Sequence, residues 1–135
     1  LASDLHTEIF HASLGRCQAA PDFYAHFYDN FLRSNKEIRI KFEGVDMDRQ
    51  IRMLSASMQM VMLASQPGLD PALYLKRVAK RHSRHDLDIP AHLYDIWLEK
   101  LLQTVKEIDP KYDASVREAW VQVMAVGIQY MRSCY

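Results

Sequence analysis

The sequence predicts an all-α fold, and three observations carry that expectation. Chain breakers are scarce, with four glycines and five prolines in 135 residues, against roughly 12% for the two types together in an average protein. Apolar residues recur at helical spacing, whereas no run of about four to eight residues alternates strictly enough to make a strand. The prolines sit where segments begin, as in Asp70-Pro71 and Asp109-Pro110. A proline at the first helical position gives up only an N–H that would go unsatisfied there anyway.

Seven helices follow, over residues 4–17, 21–33, 35–41, 46–65, 71–84, 90–108 and 112–132. The first starts after Leu1-Ala2-Ser3, a beginning with neither the basic head nor the apolar core of a signal segment. Pro21 opens the second. Ser34 and Glu37 have the spacing of a capping box at the start of the third, each side chain reaching the other's backbone N–H. Gly44 stops the third helix and Pro67-Gly68 the fourth. Pro71, Pro90 and Pro110 introduce the fifth, sixth and seventh. With no linker or repeat in sight, residues 1–135 read as one domain.

Charge and composition exclude several functions. Seventeen basic and seventeen acidic residues leave no net charge apart from the histidines, which speaks against nucleic-acid coating. The longest apolar run, Met60 to Ala64, is far too short for a membrane span. Cys17 and Cys134 stand near opposite ends, with no CxxC or zinc-type spacing. A reducing cytoplasm is the simpler setting.

The helix faces are more specific. Tyr24, Phe27, Tyr28 and Phe31 form a broad aromatic stripe on the second helix. Phe27 and Phe31 suit a core, but a buried phenol such as Tyr28 must find a hydrogen-bond partner. The fourth helix carries Met47, Met53, Met58, Met60 and Met62, a residue type that fills irregular or flat contacts. Its inner face is expected to hold Gln50, Leu54, Met58 and Val61, with Gln50 alone polar. On the fifth helix Leu75, Val78, Ala79 and His82 share a face, so His82 ends an apolar stripe. By spacing alone such a histidine reads as a core or boundary residue. The other face, Arg77, Lys80, Arg81 and Arg84, reads as a solvated basic surface.

The stretch from His26 to Phe42, HFYDNFLRSNKEIRIKF, resembles the second and third helices of bacterial globins. These are the single-domain haemoglobins and the haem domain of flavohaemoglobins. The resemblance continues through DRQIRML (48–54), LKRVAKRH (75–82), YDIWLEKLL (94–102) and REAW (117–120). It spans nearly the whole chain, in order. It implies a three-over-three helical sandwich around a non-covalent haem b, covalent attachment requiring a CxxCH that is absent. His82 is similar to the proximal histidine that binds the haem iron. Tyr28 and Gln50 resemble the distal pair that donates to a gas on the iron, and Leu54 the apolar residue over it. Phe42 resembles the phenylalanine on the haem face, Ile89 the residue at the haem edge, and Tyr94 and Trp97 the pocket lining of the sixth helix. Leu75 and Val78 share the face of His82 toward the haem. Arg81 resembles the basic neighbour that pairs with a haem propionate.

Two spacings depart from the family's pattern. The segment from His82 to Ile89 is long, which brings in His85 as a second candidate for the proximal ligand. Periodicity favours His82, because a ligand at 85 would have Arg81 and His82 on its face. The loop from Phe42 to Gln50 is short, which keeps Met53 and Leu54 as alternatives to Gln50. The remaining histidines are expected at surface or boundary positions. The functional expectation is reversible binding of oxygen or another diatomic gas, such as nitric oxide or carbon monoxide, by a monomer or homodimer. A gas-sensor subunit is one alternative. A nitric oxide dioxygenase is another, and it would need an external reductase because no GxGxxG or flavin domain is present. A ferritin-like metal bundle needs two Glu-x-x-His pairs, and only Glu8 to His11 matches. A cofactor-free helical interaction domain completes the field.

Overall fold

A computed structural model describes residues 4–135 of the chain. The expectation for Leu1-Ala2-Ser3 falls outside the described residues. Within them the chain forms seven helices and no strand: α1 (Asp4–Ala19), α2 (Phe23–Ser34), α3 (Lys36–Lys41), α4 (Met47–Ala64), α5 (Ala72–His82), α6 (Ala91–Ile108) and α7 (Ala114–Ser133).

The helix starts differ in detail from the expectation. Asn35, not Ser34, caps α3: its side chain accepts from the Glu37 N–H at 2.7 Å. Ser34 ends α2 and donates to the Phe31 carbonyl. The residue between two helices is the one with extended backbone, and only there can a side-chain oxygen turn back to the new helix. Asp46 and Asp113 cap α4 and α7 in the same way. The prolines stand before the helices rather than inside their first turns. Pro71 and Pro90 occupy the cap positions of α5 and α6, while Pro21 and Pro110 lie in the preceding turns. Gly44 and Gly68 do not end the helices, which stop at Lys41 and Ala64 with Phe42 and Ser65 as caps; they lie in the turns that follow, with φ of 74° and 83° that side-chain-bearing residues rarely adopt.

α1 lies on α7, and α2 on α6, α3 and α4; α5 is held between α4 and α7. The α1–α7 contact is anchored by Phe10 and Trp120, both fully buried, whose rings meet edge to face at 4.7 Å. The Trp120 indole N–H donates to the Ser13 hydroxyl at 2.9 Å, which in turn donates to Asp109 at 2.6 Å. Arg16 closes the network with two hydrogen bonds to the same carboxylate, at 2.7 and 2.9 Å. Burial alone would raise the Asp109 carboxyl, but the hydrogen bonds from Arg16 and Ser13 more than offset that and hold it below the usual carboxylate range. The C-terminal end of α6 is thus pinned to α1 and α7. The other end of the molecule is packed differently, around a cavity.

Candidate functional site

α2 to α7 all contribute to a cavity of about 420 Å³, within the usual range of small-molecule sites. The residues that the resemblance carries to a haem site all line it: Tyr28, Phe42, Gln50, Leu54, Leu75, Val78, Arg81, His82, Ile89, Tyr94 and Trp97. Its walls are otherwise mainly aliphatic side chains and methionines.

α5 delivers His82. Leu75 and Ala79 on the same stripe are buried against α4 and α7, which fixes the rotation of the helix and turns Val78 and His82 to the cavity. The His82 Nδ1 lies 2.8 Å from the Val78 carbonyl one turn earlier. A carbonyl can only accept, so Nδ1 carries the proton and Nε2 keeps its lone pair. Burial lowers the imidazole pKa below its ordinary value, the Val78 bond opposes this and the neighbouring Arg81 charge adds to it, so the ring is neutral at physiological pH. His85, by contrast, is exposed in the turn after α5 and does not line the cavity.

That turn accounts for the long spacing before Ile89. It folds back on the end of α5 through the Leu87 N–H to Arg81 and the Ile89 N–H to His82 carbonyls, at 3.0 and 3.1 Å. Asp88 takes a left-handed backbone with φ 53°, which Asp tolerates better than most residues. Ile89 is thereby returned to the cavity. Lys41 donates from outside to the Leu87 and Asp88 carbonyls, and the Tyr135 hydroxyl donates to the Asp88 carboxylate.

α2 and α4 supply the polar pair. Tyr28 is 5% exposed, and its ring packs against Phe27 and Phe42. Burial pushes its phenol up to about 12, against an opposing pull from a hydrogen bond with the Gln50 side chain. The hydroxyl therefore stays protonated. The short loop between Phe42 and Gln50 still brings Gln50 to Tyr28. Met53 and Leu54 line the cavity as well, with Leu54 buried and Met53 half-exposed. On α6 burial likewise pushes the Tyr94 phenol up to about 12.

The sequence expectation missed three parts of the lining. Phe31 is buried in the core, as its stripe implies, and also reaches the cavity. Met124, Gly127, Ile128 and Met131 of α7 form a further wall. With Trp120 they recur at helical spacing on the buried side of α7, opposite Glu118, Gln122 and Gln129. A Cβ on Gly127 would come within 3.4 Å of Val61 and 3.6 Å of Leu75, so the glycine keeps α7 close to α4 and α5. The third part is ionic. Arg77, read as solvated, and Lys41, not singled out, join Arg81 at the cavity, while Lys80 and Arg84 stay outside it.

Among the described residues no group of three or more His, Cys, Asp or Glu side chains is arranged to hold a metal ion. No helix among them is long and apolar enough to cross a membrane. Cys17 is buried and Cys134 exposed, and both are free thiols.

No protein-family model matches the chain, and no curated protein matches it. Among solved structures it is similar to the crystal structure of PA3967 from Pseudomonas aeruginosa PAO1, described as structurally highly homologous to a human haemoglobin. The TM-score is 0.91 at 38% sequence identity, over 96% of this chain and 98% of that one. With that identity along almost the full length of both chains and the same helical architecture, the chain belongs to the globin family, among the bacterial globins.

Proposed function

We propose that the chain is a single globin domain over residues 1–135 that binds one haem b and, through it, oxygen or another diatomic gas reversibly. The observation that carries this reading is His82: one neutral imidazole facing an apolar cavity, with Nδ1 tied to a backbone carbonyl. Metal-binding histidines are oriented in this way, the second nitrogen fixing the tautomer and the ring plane. The rest of the donor set also fits a large apolar disc with two carboxylates. The lining contains three permanent cations and no Asp or Glu.

Haem, when bound, supplies a ferrous iron to which a diatomic gas attaches reversibly. This chain's residues do the rest. His82 would hold the iron through Nε2. Leu54, Leu75, Val78, Phe42 and Trp97 exclude water and supply apolar contact. Tyr28 keeps a proton on its hydroxyl for donation to the gas, and Gln50 orients that hydroxyl while offering its own amide N–H. Tyr94 and Ile89 close the side nearest α6.

The Tyr28–Gln50 pair also suits a nitric oxide dioxygenase served by an external reductase, because two donors favour retention of oxygen. Free thiols at Cys17 and Cys134 agree with a cytoplasmic setting. Cycling the reduced, haem-loaded protein between oxygen and vacuum separates the two roles. Reversible carriage predicts several spectral cycles without loss. Oxidation within the first cycle, with nitric oxide turnover once a reductase is supplied, would assign the chemistry to the dioxygenase.

A further inference from the structure

We propose that Arg77 holds the carboxylate edge of the cofactor, while Arg81 and Lys41 position the turn that closes the cavity. This rests on the haem-binding reading above. The chain as a whole is electrically balanced, yet the cavity lining carries Lys41, Arg77 and Arg81 and no carboxylate. Two of these cations are already engaged. Arg81 Nη1 holds the Asp86 carboxylate at 2.6 Å, and Lys41 Nζ donates to the Leu87 and Asp88 carbonyls at 3.3 and 2.9 Å. Asp86, Leu87 and Asp88 all belong to the turn after α5 that carries Ile89 back to the cavity.

Arg77 is the remaining cation. It lies one helical turn before Arg81, on the same side of α5. It makes no hydrogen bond or ion pair among the described residues, although its side chain lines an apolar cavity and is exposed at the surface. A long stem over apolar surface with a charged head in water is how arginine spans such a boundary. Its planar fork suits a carboxylate better than the point charge of lysine. The resemblance gave the propionate to Arg81, but engaging that residue would compete with Asp86, whereas Arg77 has no partner to give up.

The experiment measures haem transfer from the loaded protein to an excess of a scavenging acceptor. Haem b and its dimethyl ester, in which both carboxylates are neutral, are compared. Arg77→Gln should speed loss of free-acid haem by about 3–10-fold, and less at high salt. Arg77→Lys should recover part of the retention. With the ester, Arg77→Gln and the unaltered protein should agree within about twofold. Arg81→Gln should loosen the turn and speed loss of both cofactors alike. An unchanged rate in Arg77→Gln, or equal acceleration with haem and ester, would overturn the assignment. If the unaltered protein takes up no haem at all, the haem-binding reading fails first and Arg77's role goes with it.

Discussion

Replacing Tyr28 with phenylalanine removes one hydroxyl and almost no volume. The ring is 5% exposed and wedged between Phe27 and Phe42, at centroid distances of 5.1 and 5.8 Å, so the phenylalanine should keep its place. The phenol's pKa of about 12 means that the lost group is a proton donor over the whole physiological range. Oxygen takes on negative charge when it binds ferrous haem, and carbon monoxide stays nearly neutral. A hydrogen bond to a charged acceptor contributes roughly 1.5–3 kcal/mol, and each 1.4 kcal/mol is a factor of about ten. Oxygen release should speed up by about 10–100-fold, with carbon monoxide affinity changed by less than about threefold. Gln50→Leu should act in the same direction and more weakly. Stopped-flow displacement of oxygen by carbon monoxide gives the oxygen release rate, and an equilibrium titration with carbon monoxide gives its affinity. Equal effects on both gases would show that Tyr28 shapes the pocket rather than donating to the ligand. No effect on either would remove it from the binding site.

His82→Ala should hold haem weakly, with retention restored by added imidazole, while His85→Ala keeps the parent absorption spectrum. The reverse pattern would move the iron ligand into the exposed turn. Asp109→Asn should cost about 1–3 kcal/mol at neutral pH, because the carboxylate serves both Arg16 and Ser13. The folded protein binds the Asp109 proton more weakly than the unfolded chain does. The carboxylate's contribution is therefore whole above the ordinary carboxylate pKa and drains away as pH falls through the folded value. Thermal unfolding from pH 6 down to pH 3 should show the gap between the parent and Asp109→Asn closing, and a constant gap would contradict the ionised assignment.

The features legible in the sequence were those governed by periodicity. The aromatic stripe of α2 and the apolar stripe of α5 each specify one buried direction. Together with the resemblance they direct Tyr28 and His82 to a common cavity, which both line. Boundaries were less legible because capping depends on which residue has extended backbone. Ser34 and Asn35 differ little in capping preference, and the chain turns at Asn35. The α7 wall belongs to one broad buried arc that also carries Val116, Ala119 and Val123, opposite Glu118, Gln122 and Gln129, so periodicity gave the buried side but not which part of it faces a cavity. Arg77 is exposed, as its basic face implies, yet it also lines the cavity, which periodicity does not show. Periodicity assigns a direction to a Cβ, and a long arginine stem at the edge of a stripe can lie against apolar surface while its charge stays in water. The length of the turn after His82 could be counted in the sequence, but its geometry could not, since it depends on the left-handed Asp88 and on the remote donors Lys41 and Tyr135.

The central claim is that this cavity takes haem and that one imidazole faces its iron. Titrating the cofactor-free chain with haemin while recording the absorption spectrum tests it most directly. The account predicts an intense Soret band that saturates at one haem per chain, together with a rise in melting temperature because the ligand binds the folded state. A chain that stays colourless through the titration, with an unmoved melting temperature, would contradict it.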